Sequence, residues 1–230
     1  MRDDVRWNGN AVVARRVESL GAIELSARPL ASPPQELVRA ALQEGLRRKG
    51  LAVLNWTEAA RSLRDRLALC HRVLGPPWPA MDDEALLERA GEWLTDRNFQ
   101  KIDVTGALRS LLPWPEAARL AELVPERITV PSGSQIKVDY SGEQPVLAVK
   151  LQELFGWEAA PALCDGRAPL VVHLLSPAGR PAAVTADLAS FWKNGYRAVR
   201  ADLRGRYPRH PWPEDPAGAV PTRRLNPRRG

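Results

Sequence analysis

The residues best equipped for chemistry lie in one stretch, residues 196–212, YRAVRADLRGRYPRHPW. Arg197, Arg200 and Arg204 recur at i, i+3 and i+7, the spacing that places three side chains on one face of an α-helix. Arg206 and Arg209 carry the charge past Gly205, and Tyr207 and Trp212 are interleaved with it. A stripe of guanidinium groups neutralises phosphates, and interleaved rings stack on unpaired bases. The pattern is that of a surface for RNA or another single-stranded nucleic acid. The same residues also admit a structural reading. Tyr207 and Trp212 would then anchor a proline-rich tail on the core, with the arginines solvated or paired to Asp202, Glu214 and Asp215. At the end of the chain Arg223, Arg224, Arg228 and Arg229 add non-specific attraction for polyanions, or form a solvated basic tail.

Other reaction chemistry is poorly supplied. A nucleoside-triphosphate motor needs a glycine-rich GxxxxGK[ST] loop, and no Gly-Lys pair occurs anywhere in the 230 residues. The run Asp82-Asp83-Glu84-Ala85 resembles a magnesium-holding acidic box, but it opens an amphipathic segment and reads as a helix cap. His71, His173 and His210 stand apart from one another and from any partner at metal-ligand spacing. Ser132 and Ser134 belong to a turn, not to a GxSxG elbow, and nothing in the spacing of Asp139, Glu153 and Asp187 demands that they converge. No catalytic, cofactor-binding or metal-ligating residue is expected, and no cofactor is expected in this chain.

Composition narrows the setting. The net charge is +6, carried mostly by arginine, which suits phosphate through its bidentate donors and also follows from a GC-rich genome. Cys70 and Cys164 form no CxxC pair, so neither a zinc site nor a disulfide framework is expected, in keeping with a reducing cytoplasm. No apolar run approaches the ~20 residues of a membrane span, and the N-terminus is no signal peptide.

The elements that must hold the arginine stretch follow from pattern. Residues 1–31 read as a β-meander, with Asn8-Gly9 and Leu20-Gly21 as turns. Residues 32–126 read as helical. Ser32-Pro33-Pro34-Gln35 suggests a capping box, Asn55-Trp56-Thr57-Glu58 a second helix start and Asp82 or Asp83 a third, whose helix would bury Leu86, Leu87, Ala90, Trp93 and Leu94. Two shorter helices follow, about residues 103–112 and 116–123. Residues 127–215 read as mixed α/β. The 128–130 and 135–140 runs are strands, the apolar positions of residues 146–155 suggest a short helix, and residues 169–175 form a buried strand. A last short strand at 181–184 precedes a helix broken at Asn194-Gly195 and another from Tyr196 to Leu203. Residues 216–230 are expected to be a disordered basic tail. The fold class expected is therefore α+β: an N-terminal hairpin or meander, a small helical bundle, and a C-terminal mixed α/β domain.

Three passages go beyond pattern: PSGSQIKVDYSGEQPVLAVKLQELFG, PLVVHLLSPAGRPAAVTADLASFW and LRGRYPRHPWPEDP. They resemble the C-terminal domain of the HrpB family of bacterial ATP-dependent, DExH-type RNA helicases. The resemblance is strongest over residues 128–215 and extends back to Asp4. It implies that the β-meander is the end of an OB-like fold, and that motor domains carrying the ATP and Mg²⁺ chemistry would precede Met1. It carries over no catalytic residue, since those motifs would fall upstream. Gly205-Arg206, an arginine-finger look-alike, has no nucleotide pocket in this chain to act upon. Two roles remain open on this reading: an accessory nucleic-acid-binding part of a helicase, or a scaffold that tethers the motor to a protein partner. A truncated piece without independent activity is a third.

Overall fold

The computed structural model describes residues 1–9, 11–94, 96 and 98–223, so Arg224, Arg228 and Arg229 lie outside the described residues. The chain divides into two compact units, Met1–Ala117 and Ala118–Gly230.

The first unit begins with β1 (Arg2–Asn8), β2 (Ala11–Leu20) and β3 (Ile23–Pro29) in an antiparallel meander of order β1-β2-β3. Gly9 and Gly21 supply the positive φ, 69° and 61°, that the two turns require. Asp3 and Asp4 of β1 hold Arg16 and Arg15 of β2 at 2.8 and 3.0 Å. Helix α1 (Gln35–Lys49) packs on β1 through Gly45, whose missing side chain leaves room for the Trp7 indole, and Trp7 stacks on Phe99 at 4.2 Å. The expected capping box is not formed. Pro34 is the N-cap, and no side chain caps the helix; the two prolines hold the chain extended and leave Ser32 two positions too early to reach the first free amides.

Helix α2 (Glu58–Leu74) starts where expected, with the Thr57 hydroxyl accepting from the Ala60 amide. Asp82 caps α3 (Asp83–Glu88) in the same way through Ala85. The single third helix read from sequence is divided: Arg89, at φ −88° and ψ 9°, separates α3 from α4 (Ala90–Trp93). Leu86, Ala90, Trp93 and Leu94 are nevertheless buried, so the apolar spacing identified the core and not the break. Helices α5 (Val104–Ser110) and α6 (Trp114–Leu123) follow.

The second unit is built on a five-stranded mixed sheet, β4 (Arg127–Thr129), β5 (Gln135–Asp139), β6 (Val146–Lys150), β7 (Val171–Leu175) and β8 (Pro181–Thr185), in that spatial order. Only β6 and β7 run parallel. Strand β6 corrects the sequence expectation of a short helix across residues 146–155. Leu147 and Val149 are buried while Ala148 and Lys150 are exposed, a period of two that ends at the 3₁₀ turn Leu151–Glu153. Leu151, Leu154 and Phe155 then pack inward, which is why the whole run also satisfied a helical count.

The last helical run is continuous. It consists of α7 (Leu188–Ser190), a π-helical turn (Phe191–Gly195) and α8 (Tyr196–Arg206). Asn194-Gly195 does not break it, contrary to the sequence reading. The wider π turn brings Phe191 and Tyr196, five residues apart, onto the same buried side. Glycine at 195 is needed there, because a Cβ would stand 2.7 Å from the Phe191 ring.

Glycine substitutions separate packing from propensity. Gly45→Ala is expected to destabilise the first unit by about 1–3 kcal/mol, because the added methyl overlaps the Trp7 ring. Gly205→Ala meets open space within α8 and is expected to stabilise by about 0.5–1 kcal/mol. Urea midpoints of the two variants check this, and a neutral Gly45→Ala contradicts the close approach.

Candidate nucleic-acid interface

The arginine stretch occupies α8 and the proline-rich segment after it, which turns back as a strap. Proline has no amide hydrogen, so the strap offers mainly carbonyls and must be held by donors from elsewhere. Arg200 Nε donates to the Trp212 carbonyl at 2.9 Å, and the Tyr196 hydroxyl donates to the Pro213 carbonyl at 3.0 Å. Within the strap, the Trp212 indole N–H donates to the Tyr207 carbonyl at 2.9 Å. Further on, the Pro216 carbonyl accepts from the Gly156 amide, and the Thr222 amide donates to the Gln152 carbonyl, each at 3.0 Å. The first residues of the segment expected to be disordered thus return onto the domain.

The strap sorts the candidate residues into two sets. Arg200, Tyr207 and Trp212 are partly buried and serve the strap; the Arg200 contact with exposed Glu214, at 3.7 Å, adds little. Arg197, Arg204, Arg206 and Arg209 are exposed, and none has an ion pair or side-chain hydrogen bond among the described residues. The i, i+3, i+7 stripe of Arg197, Arg200 and Arg204 is present on α8, with its middle member taken up by the strap. Arg197 and Arg204 share one flank, whereas Arg206, turned by roughly 200° from Arg204 at 3.6 residues per turn, emerges on the other. On that second flank Arg206 lines a cleft of about 350 Å³ together with Ser176, Arg180, Asp202 and Tyr207. Arg180 comes from the turn before β8, far from α8 in sequence, and only the fold brings it beside Arg206.

Burial sets the electrostatics of the strap. Tyr196 is 2% exposed, and burial pushes its phenol up to about 12, although the Arg200 charge pulls the other way. His210 is lowered by burial and by the Lys150 and Arg209 charges, which keeps the ring neutral so that Nδ1 can accept from the Gln152 amide at 3.1 Å.

His71, the Ser132 and Ser134 hydroxyls and the three acids have structural partners. His71 Nδ1 lies 2.7 Å from the Trp78 carbonyl, which can only accept, so that nitrogen carries the proton. Buried Glu153 accepts from the Ser132 hydroxyl at 2.8 Å and from that of Ser134, so the Pro131–Ser134 turn closes on a carboxylate 21 and 19 residues downstream. Asp139 instead binds the Ser141 hydroxyl and amide, which hold it below the usual carboxylate range, and Asp187 caps α7. The three acids do not converge. Cys70 and Cys164 are both buried. Among the described residues no group of three or more histidine, cysteine or acidic side chains is placed to hold a metal, and no helix is long and apolar enough to cross a membrane.

Residues 86–216, more than half of the chain, match the family model described as ATP-dependent helicase C-terminal. The chain belongs to that family. It is 43% identical to the ATP-dependent RNA helicase HrpB of Escherichia coli over 96% of its own length. The chain spans 29% of that relative. Crystal structures of the Escherichia coli protein agree. One, titled a DExH-box NTPase, aligns with TM-score 0.77 and 42% identity over 96% of this chain and 29% of that one. A second, titled a DEAH/RHA helicase, aligns with TM-score 0.67 and 40% identity over 91% and 28%. The mixed α/β architecture is therefore that of HrpB structures over the matched region.

Tyr196 makes strap stability depend on alkaline pH. A phenol whose folded pKa is raised above its unfolded value stabilises fully below about 10, and the stabilisation is lost as pH rises towards about 12. The loss is expected to be roughly 2–3 kcal/mol, and Tyr196→Phe should abolish that part of the pH dependence. Denaturant melts at pH 9 and 12 check it; an unchanged slope in the variant contradicts it.

Proposed function

We propose that the chain is the C-terminal accessory part of an ATP-dependent RNA helicase of the HrpB kind, and that it binds and places single-stranded RNA without ATPase chemistry of its own. The observation that carries the reading is the set of exposed arginines, Arg197, Arg204, Arg206 and Arg209, left without ion-pair partners among the described residues. Exposed guanidinium groups without carboxylate partners remain available to phosphates, while Arg200 and the strap fix the helix that carries them. On this reading the direct partners are RNA and helicase motor domains, which supply ATP and Mg²⁺ chemistry, and the setting is the cytoplasm.

The β-meander supports the OB-like part of the same reading. Strand β3 is a sheet edge, with Ile23 68% and Leu25 60% exposed, as expected of strands awaiting the rest of a barrel. A second role, as a scaffold for a protein partner, is favoured by one observation: Trp114, at the start of α6, is 82% exposed.

Anisotropy titrations of a single-stranded RNA at two salt concentrations test the main reading. The expected outcome is binding that weakens steeply with salt. Arg197→Ala with Arg204→Ala should weaken it by roughly thirtyfold, at about 1 kcal/mol for each lost charge-assisted contact. Absence of binding at low salt overturns the reading, and a stable protein complex formed without nucleic acid would favour the scaffold role.

A further inference from the structure

The arginines on α8 account for non-specific attraction, but the cleft on its second flank has a more particular composition. Arg206 reaches it from the last turn of α8, and Arg180 from the turn that opens β8. That turn is rigid: the Ser176 amide donates to the Arg180 carbonyl at 2.7 Å, and the Arg180 amide donates back to the Ser176 hydroxyl at 3.2 Å. Ser176 itself is 3% exposed. Neither guanidinium has an ion-pair or hydrogen-bond partner among the described residues, and neither does the carboxylate of Asp202, which lines the same cleft one helical turn before Arg206.

Three charged groups gathered in one concave site, each without a partner, are poised for a ligand that carries complementary groups. Two guanidinium groups fit an anion with several oxygens, and a phosphodiester is such an anion. A lone carboxylate among them would repel that anion unless the ligand also brings a hydroxyl or amine donor close by. A ribonucleotide does so, because its 2′-hydroxyl lies next to the 3′-phosphate, and the 2′-hydroxyl is what distinguishes RNA from DNA at a protein site. At about 350 Å³ the cleft lies at the small end of ligand sites, suited to a single nucleotide unit.

We propose that the cleft between α8 and the β7–β8 turn seats one ribonucleotide of a bound RNA strand. Arg180 and Arg206 hold its phosphate, and Asp202 accepts a hydrogen bond from its 2′-hydroxyl. This rests on the RNA-binding reading and adds to it a preference for RNA over DNA that has its source in Asp202. Arg197 and Arg204, on the other flank, supply attraction without discrimination.

The test compares one single-stranded RNA and the DNA of the same sequence, titrated by anisotropy against the full chain and two variants. The wild-type chain is expected to bind the RNA more tightly. Asp202→Ala is expected to bring the RNA and DNA affinities to within about twofold of each other, since only the ribose hydroxyl contact is lost. Arg180→Ala with Arg206→Ala should lower the steepness of the salt dependence by about 0.7, one phosphate of a single strand. Equal wild-type affinity for RNA and DNA overturns the proposal but leaves RNA binding intact. An RNA preference that survives Asp202→Ala also overturns it, as does an unchanged salt dependence in the double-arginine variant. Failure of the wild-type chain to bind either strand overturns both this site and the reading on which it rests. Circular dichroism of each variant separates these outcomes from unfolding, and the exposed position of Asp202 and Arg206 on α8 makes unfolding unexpected.

Discussion

The capture of two carbonyls by two side chains of α8 is the constraint on which the candidate surface depends. The strap after α8 contains Pro208, Pro211, Pro213 and Pro216, so it can neither continue the helix nor join the sheet as a regular strand. It stays on the domain because Arg200 and Tyr196 donate to successive carbonyls, those of Trp212 and Pro213. A hydrogen bond from a charged donor contributes roughly 1.5–3 kcal/mol, more than a neutral one, which makes Arg200 the stronger of the two clasps. Because Arg200 is used in this way, the remaining arginines are distinguished from it by position rather than by type.

Tyr196 can act as the second clasp because of the helix that precedes it. The π-helical turn places Trp192 and Tyr196 against Phe155, with Phe155 and Tyr196 edge to face at 6.2 Å and Trp192 and Tyr196 at 5.8 Å. The aromatic cluster fixes the phenol ring, and Gly195 permits the close approach of Phe191. Packing, helix register and strap are thus one device. Sheet, helix and strap in turn set where Arg180 and Arg206 meet.

Much of this was legible in the sequence where local rules are strong. The Asn8-Gly9 hairpin, the helix starts within residues 55–58 and at Asp82 or Asp83, and the strand from Gln135 each rest on short-range chemistry, and each forms. Two of the readings that failed did so where tertiary packing overrode the local pattern. Residues 146–155 satisfy a helical count, but Leu147 and Val149 are claimed by a parallel strand beside β7. The Asn194-Gly195 pair is a turn signal that a π turn absorbs. The site was half legible. The residues on α8 were identifiable from their types, but Arg180, Ser176 and Asp202 carry no signal that ties them to Arg206, since a turn residue and a helix residue meet there only through the β7–β8 connection. The aromatics were legible as a choice between stacking and anchoring, and the Trp212 indole donates within the strap to the Tyr207 backbone carbonyl, a bond in which the Tyr207 ring has no share.

The central claim is that the arginines are divided between one that holds the strap and others that meet RNA. Arginine modification by phenylglyoxal, read by mass spectrometry with and without a single-stranded RNA, tests it residue by residue. The account predicts slow modification of Arg200 in both states, with fast modification of Arg180, Arg197, Arg204 and Arg206 in the free chain and protection of these four by RNA. Modification of Arg200 as rapid as that of Arg206, or no protection of Arg180 and Arg206 by RNA, would contradict it.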